Sequence, residues 1–133
     1  MYPIEEFLDK TERAPLLFTP TPLHLLTGFS KYEEVQVYIK RDDMTGIGPG
    51  GNKIRSLEYI LGEAIEKGCK KILTAGPAQS NLCTLTAAAC ARLGLDCELV
   101  HNGVEPEKKE GNLLLNQILG TVSHFLGDCD SEK

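Results

Sequence analysis

The sequence has little of what marks several large protein classes. It contains no tryptophan and 6% aromatic residues, and acidic side chains outnumber basic ones by 19 to 14, giving a formal net charge of −5. Such a chain repels phosphate backbones and anionic lipid, so neither nucleic acid nor a membrane is an expected partner. No apolar run approaches the roughly 18 residues of a membrane span, and the start, MYPIEEFLDK, lacks a signal-peptide pattern. We expect a cytoplasmic protein.

Cysteine and histidine form no ligand pattern, so we expect no metal site and no disulfide framework. The five cysteines include no C-x-x-C pair, and the three histidines are scattered. Most of the cysteines are expected to be small core residues, and two of them, seven positions apart, share one face of a predicted helix. The cysteines are Cys69, Cys83, Cys90, Cys97 and Cys129, and Cys83 and Cys90 are the helical pair. The histidines are His24, His101 and His124, to which we assign no role.

Hydrophobic periodicity predicts alternating strands and helices after an irregular, proline-interrupted lead-in of about 30 residues. The predicted strands are EVQVYIKR (34 to 41), KKILTAG (70 to 76), DCELV (96 to 100) and TVSHFL (121 to 126). Predicted helices occupy about 52 to 66, the Ala-rich segment 78 to 94 and residues 112 to 120, and they stop at Gly68, Gly94 and Gly120. This order predicts an α/β fold, a three-layer αβα arrangement with an open parallel sheet.

The segment GIGPGGNKIR, residues 46 to 55, resembles two phosphate-binding loops without matching either. Gly46, Gly48 and Gly51 satisfy G-x-G-x-x-G, but DDMT separates them from the preceding strand, and no acidic residue ends the next strand to hold a ribose. A P-loop is excluded more firmly, because Asn52 occupies the lysine position and Ile54 the position of a magnesium-binding hydroxyl. A nucleotide site is therefore disfavoured.

Lys53 is a candidate for covalent chemistry. It lies at the start of a predicted helix and two residues before Arg55, and both neighbours disfavour the ammonium form that a Schiff-base lysine must lose. The glycines before it would let a planar group approach the backbone. From this segment alone, an ordinary solvated lysine beside a flexible loop is the favoured explanation.

A second segment, TAGPAQSN, places Ser80 and Asn81 at the end of a predicted strand and the start of its helix. The first-turn N–H groups there can bind an anion, and ligands of open α/β sheets bind outside the carboxyl ends of the strands. Both loops could therefore face one crevice. The alternative is an ordinary N-cap pair that needs no ligand.

The two segments together resemble the D-cysteine desulfhydrase and 1-aminocyclopropane-1-carboxylate deaminase family, whose members are pyridoxal-phosphate enzymes of the tryptophan synthase β-type fold. The resemblance rests on YIKRDDMTGIGPGGNKIRSLEY, TAGPAQSN and AAACARLGL, and runs from about Pro20 to at least Leu119. It implies that Lys53 carries the cofactor and that Asn81 contacts the ring hydroxyl. It also implies that Ser80 contacts the substrate carboxylate and is a candidate nucleophile, and that Asn52 and Gln79 line the site.

The resemblance also revises the domain layout. It implies that residues 1–51 belong to the larger domain of a two-domain parent fold, that 52–133 form a smaller, incomplete αβα domain, and that Lys53 lies at their junction.

Three departures from the family pattern stand out. Leu82 follows Q-S-N where most relatives have histidine, and Ser56 replaces a second lysine. Relatives are also more than twice as long as this chain. The phosphate loop, the residue facing the pyridine nitrogen and the catalytic tyrosines are therefore missing here.

The sequence thus predicts the N-terminal part of a pyridoxal-phosphate-dependent lyase or deaminase. The expected substrate is a small amino acid, converted to ammonia and a 2-oxo acid, with Lys53 and Ser80 as catalytic residues and Gln79, Ser80, Asn81 and Leu82 around the substrate. The isolated chain should be weakly active or inactive, and exposed apolar surface should favour a homo-oligomer or a separate C-terminal half as partner. The alternative is a non-catalytic relative that serves as a binding or interaction module. Dehydration of serine or threonine is disfavoured, because KRDD with GGNK resembles the desulfhydrase branch.

Overall fold

The computed structural model describes residues 3–33 and 35–127. Its N-terminal part has more regular structure than the prolines suggest: helix α1 (Ile4–Asp9), strand β1 (Leu23–Leu25) and helix α2 (Thr27–Glu33). The prediction of an irregular lead-in was therefore wrong for these three stretches. Pro3 and Pro22 lie at element boundaries, where a fixed φ and a missing N–H are tolerated: Pro3 is the N-cap of α1, and Pro22 precedes β1. Pro15 and Pro20 lie in the irregular stretch between α1 and β1.

Residue 34 of the strand predicted over 34 to 41 lies outside the described residues, and residues 35 to 41 contain strand only as β2 (Tyr38–Lys40), which pairs antiparallel with β1. Its length is limited by its partner, since β1 is three residues long and is followed by α2. One further hydrogen bond lies at each end, from Leu26 N to Val37 O at 2.8 Å and from Arg41 N to Pro22 O at 2.9 Å. This hairpin-like pair is a sheet of its own, so β2 does not belong to the parallel sheet.

The remaining elements follow the predicted order closely. They are α3 (Ile54–Glu66), β3 (Lys71–Ala75), α4 (Asn81–Leu93), β4 (Asp96–His101), α5 (Gly111–Ile118) and β5 (Val122–Phe125). The three strands form one parallel sheet in the order β3-β4-β5. Gly94 caps α4 at φ +70°, a left-handed conformation that costs glycine little. The predicted α/β class with an open parallel sheet is confirmed.

Helices cover one face of this sheet within the described residues. The crossovers through α4 and α5 both lead to the next strand in the same direction across the sheet, from β3 to β4 and from β4 to β5. Because such crossovers are right-handed, both helices lie on the same face of the sheet. Cys97, Leu99 and His101 of β4 are accordingly buried beneath helices, whereas Leu73 and Val122 remain 66% and 53% exposed. The described part of the chain thus supplies two of the three expected layers.

The core is built from α3, α4 and the covered sheet face. Cys83 and Cys90 are fully buried on α4, as their spacing predicted, and Cys97 joins them in the core. Cys69 is exposed, so it is not a core residue, and Cys129 lies outside the described residues. None of the helices in the described ranges combines the length and apolar composition needed to cross a bilayer.

A buried carboxylate attaches the N-terminal segment to α3. Glu58 is 1% exposed, and its Oε1 accepts hydrogen bonds from Leu16 N and Leu17 N, both at 2.8 Å. Its other oxygen accepts a bond from Arg13 Nε at 2.6 Å, and its backbone carbonyl accepts one from Ala14 N at 2.8 Å. Four bonds to one residue therefore fix residues 13–17 against the helix that begins directly after Lys53.

Candidate active site

Lys53 is the N-cap residue of α3, with helical backbone angles of φ −65° and ψ −21°. Its side chain is exposed, and within residues 3–33 and 35–127 the amine has no hydrogen-bond or ion-pair partner. The lysine carbonyl, by contrast, accepts bonds from Leu57 N at 3.1 Å and from Ser56 Oγ at 2.9 Å. The backbone of Lys53 is therefore fixed, and its amine is available to a ligand.

Arg55 does not present an unpaired positive charge to Lys53, which corrects one step of the sequence argument. Its guanidinium binds Asp42 through Nε at 2.8 Å and through a terminal nitrogen at 2.6 Å, and that nitrogen also donates to Thr21 Oγ1 at 2.9 Å. The bonds from Arg55 lower the pKa of Asp42 to about 2. The ion pair neutralises Arg55, and its role is to hold α3 against the loop that contains Asp42.

The glycine loop approaches its neighbours too closely for side chains. Gly50 has φ +73°, and a Cβ there would lie 2.0 Å from Asp43 O. Gly51 has φ +129°, and its Cβ would lie 2.9 Å from Asn81 Nδ2. Gly51 N also donates to Asp42 O at 2.7 Å. Glycine is therefore required here to let the backbone turn and pack against α4.

The structure brings the two predicted loops together. Asn81, the first residue of α4, donates from Nδ2 to Gly50 O at 3.2 Å. Gly50 lies three residues before Lys53, so the Asn81 amide connects the start of α4 to the loop that leads into the lysine. The two loops therefore lie together beside the carboxyl end of β3, where ligands of open α/β sheets bind.

Ser80 caps α4, as the simpler interpretation of the Ser-Asn pair predicted. Its Oγ accepts a hydrogen bond from Cys83 N at 3.3 Å, and its own N–H donates to Pro77 O at 2.8 Å. The cap uses one acceptor lone pair, so the hydroxyl can still donate to a ligand. The N–H groups of Asn81 and Leu82 precede the capped position, and neither can find an acceptor within the helix. These donors can bind an anionic group.

Gln79 serves as a structural link in addition to its predicted place in the site. Its Oε1 accepts from Asn112 N at 2.9 Å, and its Nε2 donates to Glu110 O at 3.1 Å. Asn112 Nδ2 returns a bond to Gln79 O at 2.9 Å. The Gln79 side chain thus binds the start of α5 through both its oxygen and its nitrogen. Its sequence neighbours gave no indication of this contact, which spans 33 residues.

Two other residues predicted for the site are Asn52 and Leu82, and their surroundings differ. The Asn52 side chain is exposed, and its carbonyl accepts a bond from Arg55 N at 3.1 Å. Leu82 is partly buried and packs against the core. The hydroxyl of Ser56 is directed to the carbonyl of Lys53. Neither Leu82 nor Ser56 can carry the proton or the positive charge that histidine and lysine would supply at these positions.

These groups fit the aldehyde and ring-hydroxyl side of pyridoxal phosphate. The donor types required are a primary amine with no partner among the described residues, the Asn81 carboxamide and the Ser80 hydroxyl. Glycine at 51 and 76 leaves out the Cβ atoms that would crowd Asn81 Nδ2 and Ser80 Oγ. A Cβ at Gly76 would lie 2.8 Å from Ser80 Oγ. By contrast, the described part of the chain contains no group of three or more His, Cys, Asp or Glu residues that could hold a metal ion.

Comparison with known proteins agrees with this chemistry. The family model described as pyridoxal-phosphate dependent enzyme matches residues 15–132. A Pyrococcus horikoshii protein, named provisionally as a 1-aminocyclopropane-1-carboxylate deaminase, is 46% identical over 132 residues, which are 98% of this chain and 40% of the relative. A D-cysteine desulfhydrase of Salmonella newport is 41% identical over 129 residues, covering 93% of this chain and 38% of the relative.

A solved structure described as an ACC deaminase homologue superimposes with a TM-score of 0.86 at 43% identity. It is matched over 98% of this chain and 40% of its own length, and it confirms the tryptophan synthase β-like fold. The chain therefore spans about 40% of the length of the relatives it matches. The family resemblance predicted from the two motifs is confirmed, and the chain belongs to the family of pyridoxal-phosphate dependent enzymes.

Proposed function

We propose that this chain is the cofactor-anchoring part of a lyase or deaminase that acts on a small amino acid and releases ammonia and a 2-oxo acid. The observation that carries the proposal is the Asn81 Nδ2 to Gly50 O bond of 3.2 Å, which joins the lysine loop to the Ser80-Asn81 turn. The names of the relatives, deaminase and desulfhydrase, support the reaction class.

The roles proposed for the residues follow from their donor groups. Lys53 would bind the cofactor through Nζ and, when that bond is released, accept or return a proton at the same nitrogen. Ser80 Oγ and the first-turn amides of α4 would hold the substrate carboxylate, and Asn81 would orient the ring hydroxyl. Asn52, Gln79 and Leu82 would border the site. When bound, pyridoxal phosphate supplies the electron sink for the reaction.

We also propose the domain division that the sequence suggested, with residues 1–51 in a larger domain of the parent fold and 52–133 in a smaller one. The separate β1-β2 sheet supports a distinct N-terminal unit. The glycine loop, however, already packs on α4, since a Cβ at Gly48 would lie 3.1 Å from Ala88 Cβ. The loop before Lys53 therefore forms the junction between the two units.

We place the activity in the cytoplasm.

The anchoring role is tested by titrating the purified chain with pyridoxal phosphate and recording the visible absorbance of the bound cofactor. Wild type should develop a yellow band, and Lys53→Ala should not. Lys70→Ala is the matched control, because Lys70 is also exposed and its amine has no partner among the described residues. A band that persists in Lys53→Ala would refute the assignment of Lys53.

The reaction class requires a substrate panel with ammonia and 2-oxo acid as the measured products. The panel should contain both enantiomers of cysteine, 1-aminocyclopropane-1-carboxylate, serine and threonine, and it should be run on the cofactor-loaded chain alone and on the full-length protein. Turnover of a cysteine enantiomer or of the cyclopropane amino acid is expected in the full-length protein. Turnover of serine or threonine alone would replace the proposed reaction by dehydration.

A second function is favoured by the residues at 56 and 82. Leu82 packs partly on the core, and Ser56 is bonded to a backbone carbonyl, so the chain lacks two groups that could support catalysis. The corresponding proposal is a non-catalytic relative that serves as a binding module. Absence of the yellow band in wild type would favour this function, whereas a Lys53-dependent band with product formation would exclude it.

We further propose that the chain associates with itself through the uncovered sheet face. Leu73 and Val122 both pair in register with Glu98, and both are more than half exposed. They lie on the two outer strands, on either side of Glu98 of β4, and apolar side chains on an open sheet face favour association. Sedimentation velocity should show a concentration-dependent increase in mass, which Leu73→Asn reduces and Val104→Asn, at an exposed loop position, does not. A monomer at all concentrations would contradict this part of the proposal.

A further inference from the structure

His101 is a buried side chain to which the sequence assigned no role. It is the last residue of β4 and is 0% exposed. Its Nδ1 lies 2.9 Å from Gly76 O, and its ring packs against Phe125 with centroids 5.0 Å apart and planes at 39°. Because a carbonyl oxygen only accepts, Nδ1 must be the donor in this bond. Nε2 is buried without a partner in the part of the chain that the structure describes.

The bond holds the residue from which the Ser80 turn begins. Gly76 N donates to Val100 O at 3.0 Å, and Gly76 O accepts from His101, so both polar groups of Gly76 are fixed by the end of β4. The chain then turns through Pro77, whose carbonyl accepts a bond from Ser80 N at 2.8 Å. Gly76 is also the close neighbour of the Ser80 hydroxyl, since its Cβ would lie 2.8 Å from Oγ.

We propose that His101 is a positioning residue, which holds the turn from Gly76 to Ser80 in place through its bond to Gly76 O. The turn in this position presents the Ser80 hydroxyl and the first amides of α4 to the crevice. The benefit to a substrate carboxylate rests on the function proposed above, whereas the effect on the turn is a property of the chain alone. Fixing donors before a ligand arrives is what makes an anion site effective.

Two substitutions separate the hydrogen bond from simple packing. His101→Asn places an amide nitrogen near the position of Nδ1, so the donor to Gly76 O can remain while volume is lost. His101→Leu keeps the buried volume but removes the donor. If His101 only fills space, His101→Leu should disturb the chain less than His101→Asn. If His101 positions the turn, the turn from Gly76 to Ser80 should be disturbed less by His101→Asn than by His101→Leu.

The experiment measures amide hydrogen exchange of the cofactor-free chain at Gly76, Ser80 and Cys83, together with the urea midpoint of each variant. We expect exchange at these amides to rise about tenfold in His101→Leu, the loss of roughly one hydrogen bond, and to stay within about threefold of wild type in His101→Asn. The amide of Leu95, bonded to Cys90 O at the far end of α4, is the internal control. It should change only with the global stability.

The proposal is overturned if exchange at the turn follows the urea midpoints, or if both variants match wild type. It is also overturned if the imidazole ¹⁵N shifts of wild type show the proton on Nε2 and none on Nδ1. Pyridoxal phosphate binding by wild type is recorded separately. Failure to bind would refute the proposed function and leave the exchange result standing, so the two failures are distinguishable.

Discussion

Replacement of Glu58 tests how strongly the N-terminal segment is attached to the lysine helix. In Glu58→Ala, the N–H groups of Leu16 and Leu17 lose the one acceptor that they have among the described residues, and Leu16 is fully buried. An unsatisfied buried N–H costs about 1–3 kcal/mol, so the free energy of unfolding should fall by about 2–6 kcal/mol. The side chain of Arg13 is 45% exposed, so water can solvate it after the loss and it adds little.

Glu58→Gln refines this prediction, because it keeps an acceptor oxygen for both amides, removes the charge and replaces the oxygen that accepts from Arg13 with an NH2 group. Its expected cost is about 1–2 kcal/mol, the difference between charged and neutral hydrogen bonds. The assay is urea unfolding followed by circular dichroism, with Glu66→Ala, at an exposed position on the same helix, expected within about 0.5 kcal/mol of wild type. The reasoning is refuted if Glu58→Ala costs less than about 1 kcal/mol, or if the Gln variant costs as much as the Ala variant.

Three further predictions follow from the structure. Gly50→Ala should destabilise the chain more than Gly68→Ala, because both glycines have φ near +74° but only Gly50 has a backbone atom 2.0 Å from the added Cβ. Gly68→Ala should lower the free energy of unfolding by about 1–2 kcal/mol in urea. Equal losses in the two variants would refute the steric argument. Because the pKa of Asp42 is lowered, its contribution to stability is complete above about pH 4 and is lost as the pH falls towards 2. The urea midpoint should therefore fall less between pH 5 and 2.5 in Asp42→Asn than in wild type. Parallel curves of urea midpoint against pH would contradict this prediction. Peptide mapping after a brief maleimide treatment should find Cys69 labelled and Cys83 protected, because Cys83 is buried and burial raises the pKa of its thiol; fast labelling of Cys83 would show that the core opens readily.

Local patterns predicted the elements around the site well. Spacings of three and four identified α3, and an Ala-rich run with a polar start identified α4. The glycines at 68 and 94 ended these helices because a left-handed residue is a local requirement of the chain. The same locality explains the capping role of Ser80, which reaches only to Cys83. Where a structural feature depends on neighbours a few residues away, the sequence was sufficient.

Features that depend on distant neighbours could not be predicted in this way. Glu58 bonds to amides 41 and 42 residues away, and His101 to a carbonyl 25 residues away. The error concerning Arg55 has the same origin, since its charge is cancelled by a carboxylate that comes from the preceding loop. The uncovered face of the sheet likewise follows from strand order, which periodicity does not contain.

The central claim, that this chain anchors pyridoxal phosphate through Lys53, is tested most directly by peptide mass mapping after cofactor addition and borohydride reduction. The account predicts one pyridoxyl group per chain on the peptide that contains Lys53, and no selective adduct in Lys53→Ala. Equal modification of several exposed lysines, including Lys70, would show that Lys53 has no special reactivity in this chain and would contradict the account.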